Sequence, residues 1–244
     1  MKDTVFKVIT NRLIAKNTYE CILSGDTSEI TAPGQFVNIK LDGFYLRRPI
    51  SVCAVEGDLL TLIYKVVGEG TELMARTEAG AEWLVLTGLG NGYDKTRSGD
   101  RPLLIGGGAG VPPMYQLARE LVAEGKKPSA ILGFGSSDEV FYKEKFEELG
   151  VSVTVTTVDG SEGIKGFVTD AMDAQDYSYF YTCGPEPMLK AVYSKSVTGG
   201  QFSFEERMGC GFGACMGCTC KTVTGNKRIC REGPVLLKEE ILWK

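Results

Sequence analysis

Hydrophobic and polar positions alternate over much of the first hundred residues. The runs "QFVNIKL" (residues 35–41), "PISVCAV" (49–55) and "LLTLIYKVV" (59–67) are rich in β-branched and aromatic residues. Turn sequences such as Glu56-Gly57-Asp58 separate them. Several short strands at this spacing predict a small barrel or sandwich. The polar stretch "TRSGDRP" (96–102) reads as a linker.

The period then changes. In "PLLIGGGAGVPPMYQLARELVAEG" (102–125) a short apolar run breaks on glycines, and Met114, Leu117, Leu121 and Val122 follow at helical spacing. "SAILGFG" (129–135), "VSVTVTTVDG" (151–160) and "YSYFYTCG" (177–184) read as further strands, with helical stretches at 140–149, 167–172 and 187–195. Strands alternating with helices predict a parallel α/β sheet. A cysteine-rich segment completes the chain from about Gly200.

Composition narrows the chemistry. The 244 residues are 43% hydrophobic and 24% charged, with a net charge of −4 and no long run of like charge, which argues against a nucleic-acid surface. No apolar run is long enough to span a bilayer, and the N-terminus lacks a signal peptide's apolar core. A cytosolic protein is expected, and there clustered cysteines point to metal or redox chemistry rather than disulfides. The chain has eight cysteines and no histidine. A hydrolase triad built on histidine is thereby ruled out.

Five of those cysteines fall in one region, residues 210–230. Cys210, Cys215, Cys218 and Cys230 read C-x4-C-x2-C-x11-C. The first three have the spacing of a plant-type [2Fe–2S] loop, which wraps three thiolates around the cluster and takes the fourth from further along the chain. Gly209, Gly211, Gly213, Ala214 and Gly217 let the backbone approach the sulfurs. Cys220 forms C-x-C with Cys218 and is an alternative ligand, although the spacing favours Cys218. Zinc is the rival metal, but its sites usually show two C-x2-C pairs and here there is one.

Nucleotide signals lie upstream. "GGGAGVPP" (106–113) joins a strand to a helix and contains Gly108-x-Gly110-x-x-Pro113, a variant of the dinucleotide fingerprint. An ordinary tight turn would also use its glycines. "TCGPEPML" (182–189) stands at the C-terminal end of a strand, where open α/β sheets bind ligands. Within the β-rich part, "RRPIS" (47–51) offers a cation and a hydroxyl. "YKVVGEGT" (64–71) precedes a short helix at 72–75, with Thr71 suited to cap it and its N-terminus suited to a phosphate.

Taken in order, Arg48-Pro49-Ile50-Ser51, Gly68-Glu69-Gly70-Thr71, "GGGAGVPP", "CGPEPM" and the cysteine loop resemble the ferredoxin-reductase superfamily over the full chain. Within it the chain is most similar to the iron–sulfur electron-transfer subunits of dihydroorotate dehydrogenase B. The resemblance implies an antiparallel FAD-binding β-barrel (1–98), a parallel α/β NAD-binding domain (99–200) and a C-terminal [2Fe–2S] module (201–244). It assigns Arg48, Pro49, Ile50, Ser51, Ile63, Tyr64, Lys65, Gly70 and Thr71 to FAD. Many relatives have tyrosine where Ile50 stands, which leaves the stacking contact on the flavin ring open. Gly106, Gly108, Gly110, Pro113, Gly184, Pro185 and Met188 go to NAD, and Cys210, Cys215, Cys218 and Cys230 to the cluster.

The same resemblance puts Cys183 beside the nicotinamide, as the catalytic candidate; the alternative is a small hydrophobe at a strand end. In "GFGSSDEVFYKEKF" (133–146) no arginine is present to hold a 2′-phosphate and Asp138 would repel one, so NAD is expected over NADP, with Lys143 and Lys145 the opposing charges. The implied partner is an FMN-containing catalytic subunit that oxidises dihydroorotate in pyrimidine synthesis, in a heterotetramer of two copies of each chain. Electrons would pass from that FMN through [2Fe–2S] and FAD to NAD+, with the apolar loop 208–216 and its Phe212 at the docking face. Two rival readings are the small subunit of an NAD(P)H–ferredoxin oxidoreductase and a non-enzymatic zinc- and nucleotide-binding regulatory protein.

Overall fold

The computed structural model describes residues 1–243. Six antiparallel strands close into a barrel: β1 (Lys2–Ala15), β2 (Thr18–Ser24), β3 (Phe36–Lys40), β4 (Arg48–Glu56), β5 (Leu59–Lys65) and, after helix α1 (Glu69–Ala75), β6 (Glu82–Leu89). The order around the barrel is β1-β2-β5-β4-β3-β6, and β6 pairs back onto β1. Closure leaves no exposed sheet edge. Alternation along the strands fills the interior: Val37 and Ile39 of β3, Leu60, Leu62 and Tyr64 of β5 and Val85 of β6 pack with Phe6, Val8 and Leu23. Of the barrel and the sandwich, the structure is the barrel.

The second unit is a seven-stranded sheet. Its elements are β7 (Pro102–Gly107), α2 (Val111–Ala123), β8 (Ser129–Phe134), α3 (Lys143–Glu148), β9 (Ser152–Thr157), β10 (Ile164–Lys165), α4 (Val168–Met172), β11 (Tyr179–Cys183), α5 (Glu186–Lys195) and β12 (Gly200–Ser203). The strand order is β10-β9-β8-β7-β11-β12, extended by β15 (Val235–Leu237), which lies antiparallel to β12. Both faces are covered, so the central strands are continuously apolar. Leu104, Leu132 and Tyr181 pack on the side of α2, while Leu103, Ile105 and Phe180 pack on the opposite side with Val168 of α4 and Leu189 of α5. Truncating a fully buried leucine such as Leu104 to alanine would cost about 2–5 kcal/mol.

Between β12 and β15 the chain leaves the sheet as the cysteine loop and the hairpin β13 (Thr219–Thr222)–β14 (Gly225–Arg228). The sheet thus takes two strands from the segment that holds the cysteines.

Two local expectations differ from the structure. The helix expected over 140–149 is confined to α3, because Tyr142 adopts a left-handed conformation (φ 67°) and its hydroxyl donates to the buried carboxylate of Glu20 at 2.8 Å. A contact between barrel and sheet overrides local helix propensity there. The polar connection 96–102 is not loose: Ser98 is fully buried, and Gln201 ties down the segment before it by donating to the carbonyl of Asp94 at 2.8 Å.

Candidate functional site

The C-terminal ends of β7 and β11 open towards the barrel, and a cleft of about 490 Å³ runs between the two units. Arg48, Pro49, Ile50 and Ser51 on β4, Ile63, Tyr64 and Lys65 on β5, and Gly70 and Thr71 on α1 all line it. Ala109 and Cys183 enter from the sheet, and Met208 enters from the start of the cysteine loop. All three parts of the chain therefore meet at one cavity.

Local chemistry shapes its walls. Gly70 has no side chain, and a Cβ there would fall 2.0–2.4 Å from the Arg48 guanidinium. The missing side chain lets the arginine lie against the first turn of α1. Arg48 also sits over the Phe44 ring at 4.3 Å and donates to the carbonyl of Leu46, yet it forms no ion pair among the described residues. It is a cation on the wall of a cleft, available to an anionic ligand. Tyr64 stacks on Tyr19 and donates to Asn11 Oδ1 at 2.9 Å, which fixes its ring as a flat wall.

The first turn of α1 departs from expectation. The helix begins at Glu69 with Gly68 as its cap, so Thr71 is the third helical residue and not the cap. Its hydroxyl reaches back to accept from the backbone N–H groups of Val67 and Gly68 at 2.9 and 3.2 Å. Those donors are satisfied within the turn.

A second cleft, of about 370 Å³, continues from the first across the C-terminal ends of β7, β8 and β9. Lys65, Ala109 and Glu205 border both. Of the residues expected at NAD, Gly108, Pro185 and Met188 line this cleft. Gly106, Gly110, Pro113 and Gly184 do not; they lie behind its wall. A Cβ at Gly106 would meet the Val111 backbone at 2.9 Å, and one at Gly184 would meet the Met188 methyl at 2.5 Å. Pro113 is buried in the first turn of α2. These residues let strand, turn and helix pack closely.

The clefts also contain groups that local patterns do not reveal. Glu139 lines the second cleft and pairs with Lys65 at 3.2 Å, whereas Asp138 bonds Lys16 at 2.9 Å and is not part of the cleft wall. Thr156 is fully buried at the end of β9, and its hydroxyl has no partner among the described residues although the residue lines the cleft. Phe167 is an exposed apolar wall. Glu205, just past β12, has no ion-pair partner among the described residues, and desolvation inside the cleft raises its carboxyl above the usual range. The rule that ligands bind at strand C-terminal ends was the one signal pointing to Thr156 and Glu205.

Cys183 is almost fully buried at the end of β11. Burial raises its thiol strongly; the Glu205 charge adds to this, and a hydrogen bond with Ser203 opposes it. The thiol is therefore neutral at physiological pH, a compact soft wall rather than a nucleophile.

Four of the five cysteines of the C-terminal segment fall into two pairs. Cys210 Sγ accepts from the N–H groups of Ala214 and Cys215 at 3.2 and 3.4 Å, and Cys215 Sγ accepts from those of Cys210 and Gly217, both at 3.5 Å. Cys218 Sγ accepts from the N–H of Cys230 at 3.4 Å. Burial alone would raise the Cys210 thiol, but the N–H groups of Cys215, Phe212 and Ala214 outweigh it and bring it down to about 6. Burial, and then the neighbouring Cys218, push Cys230 up to about 12.

Four thiols in two pairs, three of them accepting from backbone N–H groups, suit a pair of irons that each need two thiolates. Gly209 and Gly217 leave the room: a Cβ at either would stand 3.2 or 3.5 Å from Cys215 Sγ. Cys220 lies on β13 opposite Lys227, outside both pairs.

Known proteins resemble this chain both domain by domain and over its full length. Residues 205–242 match the iron–sulfur cluster binding domain of dihydroorotate dehydrogenase B, and residues 104–194 match the oxidoreductase NAD-binding domain. The chain is 43% identical over 259 aligned positions to the dihydroorotate dehydrogenase B (NAD(+)) electron transfer subunit of Geobacillus sp. (strain WCH70), covering 99% of each protein. It is 44% identical to the subunit of the same name from Fusobacterium nucleatum, again over 99% of each. Among solved structures, an NADH-dependent reduced ferredoxin–NADP oxidoreductase studied for flavin-based electron bifurcation superposes with a TM-score of 0.88 at 29% identity, over 98% of this chain and 90% of that one. A cytochrome P450 reductase from Amycolatopsis shares the fold, with a TM-score of 0.71 at 23% identity over 81% of this chain and 67% of that one.

Proposed function

The chain belongs to the family of dihydroorotate dehydrogenase B electron-transfer subunits, and from that premise we propose that it carries electrons from an FMN-containing catalytic partner to NAD+ in pyrimidine synthesis. The observation that carries the reading is the shared cleft: all the residues expected at FAD, Cys183 of the sheet and Met208 of the cysteine loop line a single cavity. Bound there, FAD would exchange a hydride with nicotinamide on one side and single electrons with a [2Fe–2S] cluster on the other.

The chain's own groups then have distinct tasks. Arg48 neutralises the flavin's phosphate charge. Tyr64 and Ile50 wall the ring, and Gly70 leaves room for the arginine. Gly108, Pro185 and Met188 shape the nicotinamide dinucleotide's approach, and Cys183 limits how its ring can lie. Cys210, Cys215, Cys218 and Cys230 ligate the cluster, and the N–H groups around their sulfurs stabilise its negative charge. Hydride exchange needs no acid or base, in keeping with a chain that has no histidine.

Residues 1–98, 99–200 and 201–244 form the FAD, NAD and cluster units of this reading. Phe212 and Met216 are exposed on the cysteine loop and would meet the partner, in an assembly of two copies of each chain. No helix among the described residues is long and apolar enough to cross a membrane, and the proposed location is the cytoplasm.

The test is the purified chain itself. It should show flavin and [2Fe–2S] absorbance with two irons and two sulfides per chain. Cys218→Ser should lose the cluster and Cys220→Ser should keep it. A colourless, zinc-containing protein would reject the reading.

A further inference from the structure

One strand joins the flavin cleft to the cysteine loop. On β3, Val37 and Ile39 point into the barrel core, while Phe36 and Asn38 occupy the other face. Phe36 lines the flavin cleft and packs in the same apolar cluster as Cys218 and Cys230. Asn38, two residues on, is 1% exposed, and its Nδ2 donates to the carbonyl of Cys210 at 3.3 Å. Its backbone neighbour across the ladder is Pro49, within the flavin-lining segment of β4.

The contact is tight from the loop side as well. Gly211 has φ +79°, a conformation that favours glycine, and a Cβ there would come within 2.4 Å of Asn38 Nδ2. Asn38 Oδ1 is buried with no partner among the described residues, so the side chain is held in place by a single directed bond, at the cost of an unsatisfied acceptor. A buried polar residue with that cost, on the strand between two sites, calls for a reason beyond packing.

We propose that Asn38 is a positioning residue: its amide fixes the Cys210 end of the cysteine loop against the flavin barrel and so sets the coupling between cluster and flavin. The proposal rests on the reading of the cysteines as iron–sulfur ligands and of the cleft as the FAD site. The physical argument is short. Strand β3 is hydrogen-bonded on both sides, to β4 and to β6, and is therefore a rigid base. The loop it holds carries few regular hydrogen bonds of its own, so the orientation of the Cys210 peptide depends on what anchors its carbonyl. Outer-shell hydrogen bonds of this kind tune both the geometry and the potential of a metal centre. Electron passage between the sites makes and breaks no bond, so distance and orientation are all the protein can adjust.

The experiment uses the full chain loaded with FAD and cluster, in wild-type form and as Asn38→Ala and Asn38→Asp; the second keeps the side-chain shape and removes the donor. Both variants should bind FAD and be reduced at the flavin by NADH at the wild-type rate. Their reduced clusters should give altered electron paramagnetic resonance spectra and shifted midpoint potentials. Electron passage from flavin to cluster should slow several-fold, because a displaced loop changes the distance and orientation between the two sites. Loss of the cluster with FAD retained would equally support control of the loop by Asn38. If neither variant folds, Gly211→Ala disturbs the same contact from the loop side and should produce the same spectral change. Wild-type spectra, potentials and cluster-reduction rates in the variants would overturn the proposal. A wild-type chain without an iron–sulfur signal would instead overturn the reading beneath it.

Discussion

Gly110 lies so close to Cys183 that a Cβ on the glycine would stand 2.1 Å from the cysteine's carbonyl oxygen. The turn after β7 and the end of β11 are thereby locked together, backbone on backbone. Neither side can yield by rotating a side chain. Gly110→Ala should therefore cost about 1–3 kcal/mol or more from overpacking. Gly108→Ala meets nothing within 4 Å and bears only the strain of φ +51°, about 1–2 kcal/mol. Thermal melts of the two variants check the order; equal melting temperatures would show that the contact is relaxed in solution.

Cys183 lines the flavin cleft and is raised by burial, so it contributes shape and not charge. Cys183→Ala should slow hydride exchange between NADH and flavin while FAD and iron content stay unchanged. The slowing should be independent of pH between 6 and 9, since no thiolate is involved. Rapid-mixing absorbance at the flavin band measures it. An unchanged rate would leave the residue as core packing only.

Buried thiols also contribute to the loss of stability at alkaline pH. Burial, with the Glu20 charge adding to it, pushes Cys21 from its usual 9.0 to about 12, and Cys53 shifts in the same direction mainly through burial. Above pH 9 the unfolded chain releases protons that the folded chain retains, so stability falls from about pH 9 to pH 12 and is fully present below that window. Urea midpoints across this range should decline, with a shallower decline for Cys21→Ala than for the wild type. Parallel declines would assign the alkaline loss to other groups.

Nucleotide choice moves from one carboxylate to its neighbour. Asp138, the residue that the sequence pattern singles out, is occupied by Lys16, while Glu139 lines the second cleft. Lys143 and Lys145 do not line it and lie near Glu162 and Glu148. A 2′-phosphate in this cleft would meet the Glu139 carboxylate, and the cation beside it, Lys65, is already engaged by that carboxylate at 3.2 Å. Glu139→Gln should raise the NADPH-to-NADH ratio of kcat/KM several-fold, and Asp138→Asn should leave it unchanged. The opposite result would return selectivity to Asp138.

What the sequence made legible follows from the range of each signal. Alternation in 35–41 and 59–67, the glycine turn at 106–110 and the x4–x2 cysteine spacing are local, and each lies where its pattern says. Tertiary contacts decided the rest. Tyr142 breaks a helix because its hydroxyl meets Glu20, more than a hundred residues away in sequence. Thr71 looks like a cap but serves as the third residue of its helix. Gly106, Gly110 and Gly184 match a nucleotide pattern, yet their small size serves backbone packing behind the cleft. Glu205, Thr156 and Asn38 carry no motif; they matter through where strand ends and a loop converge, which no period in the chain encodes.

The most direct test of the central claim joins this chain to its catalytic partner. Co-expressed with an FMN-containing dihydroorotate dehydrogenase subunit from the same organism, it should form a stable complex that reduces NAD+ with dihydroorotate, followed as NADH absorbance. Neither chain alone should do so, and Cys218→Ser in the complex should abolish NAD+ reduction while dihydroorotate still bleaches the partner's flavin. Full NAD+ reduction by the Cys218→Ser complex, or dihydroorotate oxidation by the isolated chain, would contradict the electron-transfer account.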